Sequence, residues 1–299
     1  MTPRRVRLVL LVVPAMWGLV FVGVDQVLEE LDAFELVAIR FALISVLFGL
    51  LMLVRPELRP SFARREWLLI GLSGLMAVPL SQLGIVYAQN WLAPSLASLI
   101  ITTAPAMAAI LAPLFLPETV TLRQAAGFVM AVAGAAVVIV VGAGGIGLED
   151  SNLWGAAVGM ITPVAWALYT ILLKRLSAGS PLTTVGTGLM VGTIFMIPWM
   201  PRALEAAGEI EASTWGWLLY LAFGGTFVSY IIWFWSLRHL DAAQTSAYLY
   251  LVPVSALVWS LLILGDVPPA GALAGGALVF AGVALTQTRA QTTQLPVEP

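Results

Sequence analysis

Arg40 is the ionisable residue that the sequence places deepest inside a long apolar run. At a helical rise of 1.5 Å per residue, it lies roughly 10 Å beyond Phe34, where that run begins. A charge at the centre of a bilayer costs about 2.5–3.5 kcal/mol on insertion scales, so the guanidinium needs a polar cavity or a partner. One alternative is functional: Arg40 contacts the carboxylate of a substrate or acts as a gate on the outer side. The other is structural, by snorkelling outward or bonding helix-end carbonyls within its own half of the chain.

Aromatic, amide and hydroxyl side chains are the other groups in the apolar runs that could bind a small solute. Tryptophans at run ends are typical of interfacial belts, whereas a second set of aromatics lies deeper or beside small and polar neighbours. Ser98 and Thr102 are four residues apart and therefore share one helix face. For each candidate, packing between helices or a bond to the helix backbone is an alternative explanation. The candidate binding residues are Trp17, Gln82, Tyr87, Ser98, Thr102, Trp166, Tyr169, Tyr230 and Tyr248.

Groups that could catalyse a reaction or bind a metal are scarce. The chain has no Cys, and its one His, His239, lies beside Arg238 and Asp241 between two apolar runs. A lone histidine forms no metal pair, so we expect no cofactor, no metal and no enzymatic activity. No Asp or Glu lies well inside a run. This absence disfavours proton coupling through a buried carboxylate and binding of a lipophilic cation.

The composition is that of a membrane protein. Hydrophobic residues make up 60% of 299 positions and charged residues only 10%, whereas soluble domains have about 25% charged residues. A helix needs about 20 mostly apolar residues to cross the hydrocarbon core. We therefore expect an all-α, polytopic membrane protein with ten transmembrane helices. The predicted spans are 8–25, 34–54, 67–88, 94–116, 123–143, 153–173, 183–200, 214–237, 243–264 and 270–288.

The basic residues predict the orientation of these spans. With a cytoplasmic N-terminus, Arg202 alone falls in an outer loop and Arg40 falls inside a span. The other 12 of the 14 basic residues fall in cytoplasmic segments, namely Arg4, Arg5, Arg7, Arg55, Arg59, Arg64, Arg65, Arg123, Lys174, Arg175, Arg238 and Arg289. Basic residues stay on the cytoplasmic side during insertion. We therefore expect a multi-pass protein of the cell inner (plasma) membrane with both termini cytoplasmic and, without a further basic run, no nucleic-acid partner.

The two halves of the sequence repeat each other. Leu116-Pro117-Glu118 matches Leu264-Gly265-Asp266 at an offset of 148, and Pro105 matches Pro253 at the same offset. Pro14-x-x-Trp17 matches Pro163-x-x-Trp166 at an offset of 149. Because each half has an odd number of spans, the second half is inverted in the membrane, which favours a binding site between the halves. We expect a first repeat over 1–146, an inverted second repeat over 147–289 and a disordered tail over 290–299.

Proline and glycine positions add two structural expectations. Pro105 and Pro253 interrupt equivalent helices, so we expect paired kinks that act as hinges. Close-packing surfaces are expected where glycines recur in the fifth and tenth spans, at Gly127, Gly134, Gly275 and Gly282.

The chain resembles the drug/metabolite transporter superfamily, specifically its EamA-type ten-helix exporters. The resemblance covers nearly the whole chain and is carried by Trp17-Gly18, Arg40-Phe41, Pro105, Trp166-Ala167 and the segment from Tyr248 to Pro253. It implies that the first, third, fourth, sixth, eighth and ninth spans surround a central cavity. We therefore expect Trp17, Trp166, Tyr230 and Tyr248 to reach it. The second span is peripheral in the family, which favours the structural role for Arg40.

The resemblance also implies a function. Metabolite export by alternating access is expected, with amino acids or related zwitterionic solutes as the commonest substrates. A neutral cavity rich in aromatic and hydroxyl groups fits a zwitterion. Nucleobases, sugars and vitamins are the alternative substrates. The alternative function is that of a membrane-embedded transferase. The expected partners are a small-molecule substrate and membrane lipid, with the chain functioning as a monomer.

Overall fold

The computed structural model describes residues 3–92, 94–115, 121–142, 150–176, 180–240, 245, 247–265 and 270–286. The expectations for Pro117, Glu118, Asp241, Asp266 and the tail over 290–299 fall outside these residues. Within the described residues every regular element is a helix and no strand occurs. The predicted all-α class is therefore confirmed.

Within the described residues ten helical stretches follow one another, several of them interrupted by short 3-10 or π segments. They are α1 (Pro3–Leu10 and Val12–Val27), α2 (Ala33–Val54), α3 (Arg64–Leu75, π segment Met76–Gln82, Leu83–Ala88), α4 (Pro94–Ile100, 3-10 turn Ile101–Thr103, Ala104–Phe115), α5 (Leu122–Gly142), α6 (Asp150–Gly159 and Ile161–Arg175), α7 (Pro181–Ile194), α8 (Ala212–Leu219, π segment Tyr220–Val228, Ser229–Leu237), α9 (3-10 turn Ala247–Leu251, Val252–Leu264) and α10 (Ala270–Thr286). A short helix, Met200–Ala207, lies between α7 and α8.

Several of these helices are long and apolar enough to cross a membrane. Among the described residues five satisfy this condition, namely Arg5–Val27, Ala33–Val54, Arg64–Ala88, Ala157–Arg175 and Ala212–Leu237. α7 and the short helix after it make a sixth if this pair, bent by 54°, is one span. The chain is thus a multi-pass helical membrane protein. The remaining four spans, in α4, α5, α9 and α10, stay a prediction.

Proline explains why α1 and α6 are each interrupted once. A proline lacks the backbone N–H, and its ring clashes with the carbonyl four residues earlier. The first segment of α1 ends at Leu10, four residues before Pro14, and the first segment of α6 ends at Gly159, four residues before Pro163. A proline at the equivalent position therefore interrupts the equivalent helix in each half.

α4 and α9 are interrupted in a matching way. In each helix a 3-10 turn precedes an α-helical segment whose second residue is proline, Pro105 in α4 and Pro253 in α9. The 3-10 geometry keeps the carbonyl of Ile101 bonded, because the N–H of Ala104 donates to it. The predicted interruptions of these two helices are confirmed. That they kink the helices and act as hinges stays a prediction.

Equivalent residues of the two halves contact each other at the centre of the fold. The rings of Trp17 and Trp166 meet edge to face, with centroids 5.3 Å apart and planes at 89°. The amide nitrogen of Gln82 donates to the hydroxyl of Tyr230 over 3.0 Å, across 148 positions of sequence. A residue can reach its own equivalent only near the axis that relates the halves. The pseudo-two-fold axis therefore passes through these contacts.

Glycine allows α3 of the first half to pack closely on α7 of the second half. A Cβ added at Gly74 would lie 2.6 Å from the carbonyl oxygen of Gly188 and 2.7 Å from the backbone nitrogen of Gly192. Backbones at this separation leave no room for a side chain. α5 and α10 also pack along each other, and the predicted close-packing surface is confirmed by the burial of Gly127, Gly134, Gly275 and Gly282.

Charged groups join the halves at the start of α2. Asp32 caps α2 by accepting hydrogen bonds from the backbone nitrogens of Phe34 and Glu35 at 2.9 Å. Arg202 of the short helix bridges to Glu35 at 2.8 Å and to Asp32 at 3.2 Å. Because Arg202 is largely exposed, this pairing contributes little to stability, on the order of 0–1 kcal/mol.

Candidate functional site

A cavity of about 60 Å³ lies between the two halves. Trp17, Trp166 and Tyr230 line it, and their ring centroids lie 5.3–6.0 Å apart. Two further aromatics contact these rings without lining the cavity: Trp233 at 5.1 Å from Trp17, and Tyr169 at 5.6 Å from Trp166. The structure thus brings together three of the four aromatic residues that were expected at the cavity, Trp17, Trp166 and Tyr230.

Two helices each present one continuous face to this cavity. α1 contributes Trp17, Val20, Phe21 and Val24, and α3 contributes Gln82, Ile85, Val86 and Gln89. Both sets follow the spacing i, i+3, i+4, i+7, which places side chains on one side of a helix. Extending the predicted positions Trp17 and Gln82 by this spacing would have identified Gln89, which sequence reasoning missed.

Hydrogen bonds across the halves hold the aromatic residues in place. The indole nitrogen of Trp17 donates to the carbonyl of Gly225 at 3.0 Å and to the hydroxyl of Ser229 at 2.9 Å. The hydroxyl of Thr162, a lining residue that was not predicted, donates to the carbonyl of Ser81 at 3.0 Å. These bonds use polar groups for architecture, so the groups are not free to bind a solute.

Arg40 lines the same cavity and is only 1% exposed. Its Nε donates to the hydroxyl of Thr226 at 2.9 Å and to the carbonyl of Leu221 at 3.1 Å, and its Nη2 donates to Thr226 at 2.6 Å. Both acceptors belong to the π segment of α8, in the other half of the protein. The expectation that Arg40 snorkels outward or bonds within its own half is therefore wrong. The π geometry of α8 favours the contact, because Leu221 and Thr226 lie five residues apart and bond each other as well.

Three polar atoms of lining residues have no hydrogen-bond partner in the described part of the chain. They are Nη1 of Arg40, Nε1 of Trp166 and Oε1 of Gln89. Buried polar atoms in proteins are almost always bonded, and the exceptions deserve a functional explanation. Two of these atoms are donors and one is an acceptor, which is a set of groups able to bind a small polar solute.

Five of the nine predicted binding residues do not line the cavity. Tyr87 packs between Phe34 at 5.8 Å and Trp91 at 5.0 Å, and Tyr169 lies behind Trp166. The others, Ser98, Thr102 and Tyr248, are buried and are not among the lining residues. In α4 and α9 the lining positions are taken by Ile101, Leu249 and Val252 instead. Among the described residues no group of three His, Asp or Glu could hold a metal ion.

Relatives of this chain carry names of transporters. A protein of Streptantibioticus cattleyicolor named as a probable terminal-alkyne amino-acid exporter is 32% identical over 226 residues. The match covers 75% of this chain and 74% of the relative. A protein of Archaeoglobus fulgidus named as an uncharacterized transporter is 25% identical and covers 92% of this chain and 96% of its own length. A probable amino-acid metabolite efflux pump of Salmonella typhimurium is 24% identical, with 94% of both chains covered.

The fold and the repeat are shared with known proteins as well. A solved crystal structure that is 19% identical superposes with a TM-score of 0.74 over 95% of this chain and 96% of that chain, which shows a common fold. The EamA-like transporter family matches the sequence twice, at residues 5–140 and 153–288. With a match in each half and a cavity between the halves, the chain belongs to the EamA-like transporter family.

Proposed function

We propose that this transporter exports amino acids or related zwitterionic solutes by alternating access between its two halves. The observation that carries the proposal is the position of the cavity. It adjoins the contacts of Trp17 with Trp166 and of Gln82 with Tyr230, where the halves are related by the pseudo-two-fold axis. A site on such an axis is reached equally from either side when one half rocks against the other.

The chemistry of the cavity supports a zwitterion. Aromatic rings attract an ammonium group through their faces, and unbonded N–H donors attract a carboxylate. Apolar side chains such as Val20, Ile85 and Val86 supply the remaining wall. The names of two relatives, an amino-acid exporter and an amino-acid metabolite efflux pump, point in the same direction. Nucleobases, sugars and vitamins are the alternative substrates, and the transferase alternative has no support from the family.

The conformation fits an outward-facing transporter when the predicted orientation is applied. The lining face of α1 runs from Trp17 to Val24 and that of α3 from Gln82 to Gln89. Both helices point toward the predicted outer side with their C-terminal ends. The cavity therefore extends from the centre of the protein toward the outside, and closure there with opening inside would complete the cycle.

Transport by the purified chain in liposomes tests the proposal. A panel of radiolabelled amino acids is supplied with and without a proton gradient, and we expect saturable flux that the gradient leaves unchanged. Trp166→Ala should reduce the flux at least about tenfold, because it removes an unbonded donor and an aromatic wall. The matched control is Trp154→Ala on the same helix, where the side chain is 59% exposed. Flux only of nucleobases, sugars or vitamins would contradict the choice of substrate, and gradient-driven flux would contradict the absence of proton coupling.

A further inference from the structure

Arg40 carries a buried positive charge that the protein leaves partly unsatisfied. Two of its three nitrogens donate to Thr226 and Leu221, and Nη1 has no acceptor in the described structure. The side chain is almost completely buried and lines the cavity. A buried guanidinium is stable when it meets a carboxylate or phosphate, because its planar fork of donors matches their oxygen atoms.

No negative charge of the described chain meets this cation. The cavity-lining residues include neither Asp nor Glu. No ion pair between two described residues includes Arg40. The hydroxyl and carbonyl groups that hold the guanidinium are neutral, so they orient it without compensating its charge. The cavity therefore has a net positive charge at one position.

The charge also breaks the symmetry of the cavity. At the repeat spacing of 148 residues, shown by the bond between Gln82 and Tyr230, the equivalent of Arg40 is Gly188. The first half thus supplies a cation to which the second half has no counterpart. A solute with one anionic end would therefore enter the symmetric cavity in one orientation, with that end toward α2 and α8.

We infer that Arg40 is the residue that binds the carboxylate of the substrate, so that the transporter selects solutes with a free carboxylate. This inference rests on the proposed function and specifies it. The edge of the guanidinium that carries Nη1 binds the carboxylate, while Thr226 fixes the opposite edge. The carboxamide oxygen of Gln89, also unbonded and lining the cavity, accepts from the ammonium group.

Competition on the unmodified protein tests the inference without any risk of misfolding. Counterflow of radiolabelled L-leucine into liposomes is measured against unlabelled L-leucine, L-leucinamide and 4-methylpentanoate. We expect L-leucinamide, which lacks the carboxylate, to compete at least about tenfold more weakly than L-leucine. 4-Methylpentanoate, which has the carboxylate but lacks the ammonium group, should compete better than L-leucinamide. Equal competition by L-leucine and its amide would overturn the inference.

Variants of Arg40 then assign the selectivity to this residue. In Arg40→Gln the preference for L-leucine over L-leucinamide should fall to less than about twofold, whereas Arg40→Lys should keep part of it as a point charge. The control is Arg55→Gln at the other end of α2, where the side chain is 66% exposed. Retention of the full preference in a folded Arg40→Gln protein, judged by its elution and melting temperature, would overturn the assignment.

The same assay separates the inference from the proposed function. If the protein moves no amino acid, simple carboxylates such as pyruvate and nicotinate are tested next. Flux of a carboxylate that depends on Arg40 would keep the inference and remove amino acids as substrates. Flux restricted to uncharged solutes, or neither flux nor thermal stabilisation with any carboxylate, would overturn both.

Discussion

Ser45 and Thr193 are equivalent residues of the two halves, and their hydroxyls bond each other over 2.8 Å across 148 positions of sequence. The bond joins α2 to α7 and lies on the same axis as the contact of Gln82 with Tyr230. When the two halves exchange their conformations, an outward-facing transporter becomes an inward-facing one. A contact between equivalent residues is unchanged by that exchange, whereas other contacts between the halves are replaced.

A cross-link on the axis should therefore leave transport intact. The chain has no native cysteine, so Ser45→Cys combined with Thr193→Cys introduces one defined pair. We expect the oxidised protein to retain more than about half of the flux of its reduced form in liposomes. Each single cysteine variant, treated with the same oxidant, is the control. Loss of flux on oxidation of the pair alone would show that α2 and α7 must separate during the cycle.

The bond between Gln82 and Tyr230 should make a measurable contribution to stability. Tyr230→Phe and Gln82→Leu each remove it, so the double variant should lose less than the sum of the single variants. We expect a coupling free energy of about 0.5–1.5 kcal/mol, typical of a hydrogen bond between neutral groups. Denaturant unfolding in detergent of the four proteins measures it. Strict additivity would mean that the bond is not formed in solution.

Close approach of α3 and α7 predicts a large effect of one methyl group. Gly74→Ala forces a Cβ to within 2.7 Å of backbone atoms that cannot rotate away. The expected destabilisation is about 1–3 kcal/mol, as for other overpacked sites. Gly71→Ala on the same helix has nothing within 4 Å of the added Cβ and serves as the matched control. Similar melting temperatures for the two variants would argue against this packing.

The paired prolines are predicted to act as hinges. Pro105→Ala and Pro253→Ala each allow α-helical bonding to continue through the 3-10 turn, which stiffens α4 or α9. We expect each variant to fold with at least wild-type stability and to transport more slowly, with the larger loss in the double variant. Pro198→Ala, at an exposed position outside these helices, should have no effect. Unchanged transport in all three would remove the hinge hypothesis.

Sequence reasoning succeeded where a pattern extends along the chain. Trp17, Gln82, Trp166 and Tyr230 were predicted for the binding site and do line the cavity. These four residues form two pairs of repeat equivalents, Trp17 with Trp166 and Gln82 with Tyr230. The symmetry that places one member of a pair near the axis therefore also places the other there. Tyr87 and Ser98 were chosen as aromatic or polar side chains within a span, and Tyr248 because the family resemblance places its helix at the cavity; none of the three lines it.

By itself the sequence determined that this protein is helical, lies in a membrane and consists of two related halves. Apolar run length and internal spacing are properties of the chain alone, so they could be read directly. Tertiary structure decided which face of each helix meets the cavity. Lipid tails are as apolar as a protein core, so a membrane helix shows little periodicity to distinguish its two sides. The direction of Arg40 was decided in the same way, because its acceptors in α8 are 181 and 186 residues away and come within reach only when the halves assemble.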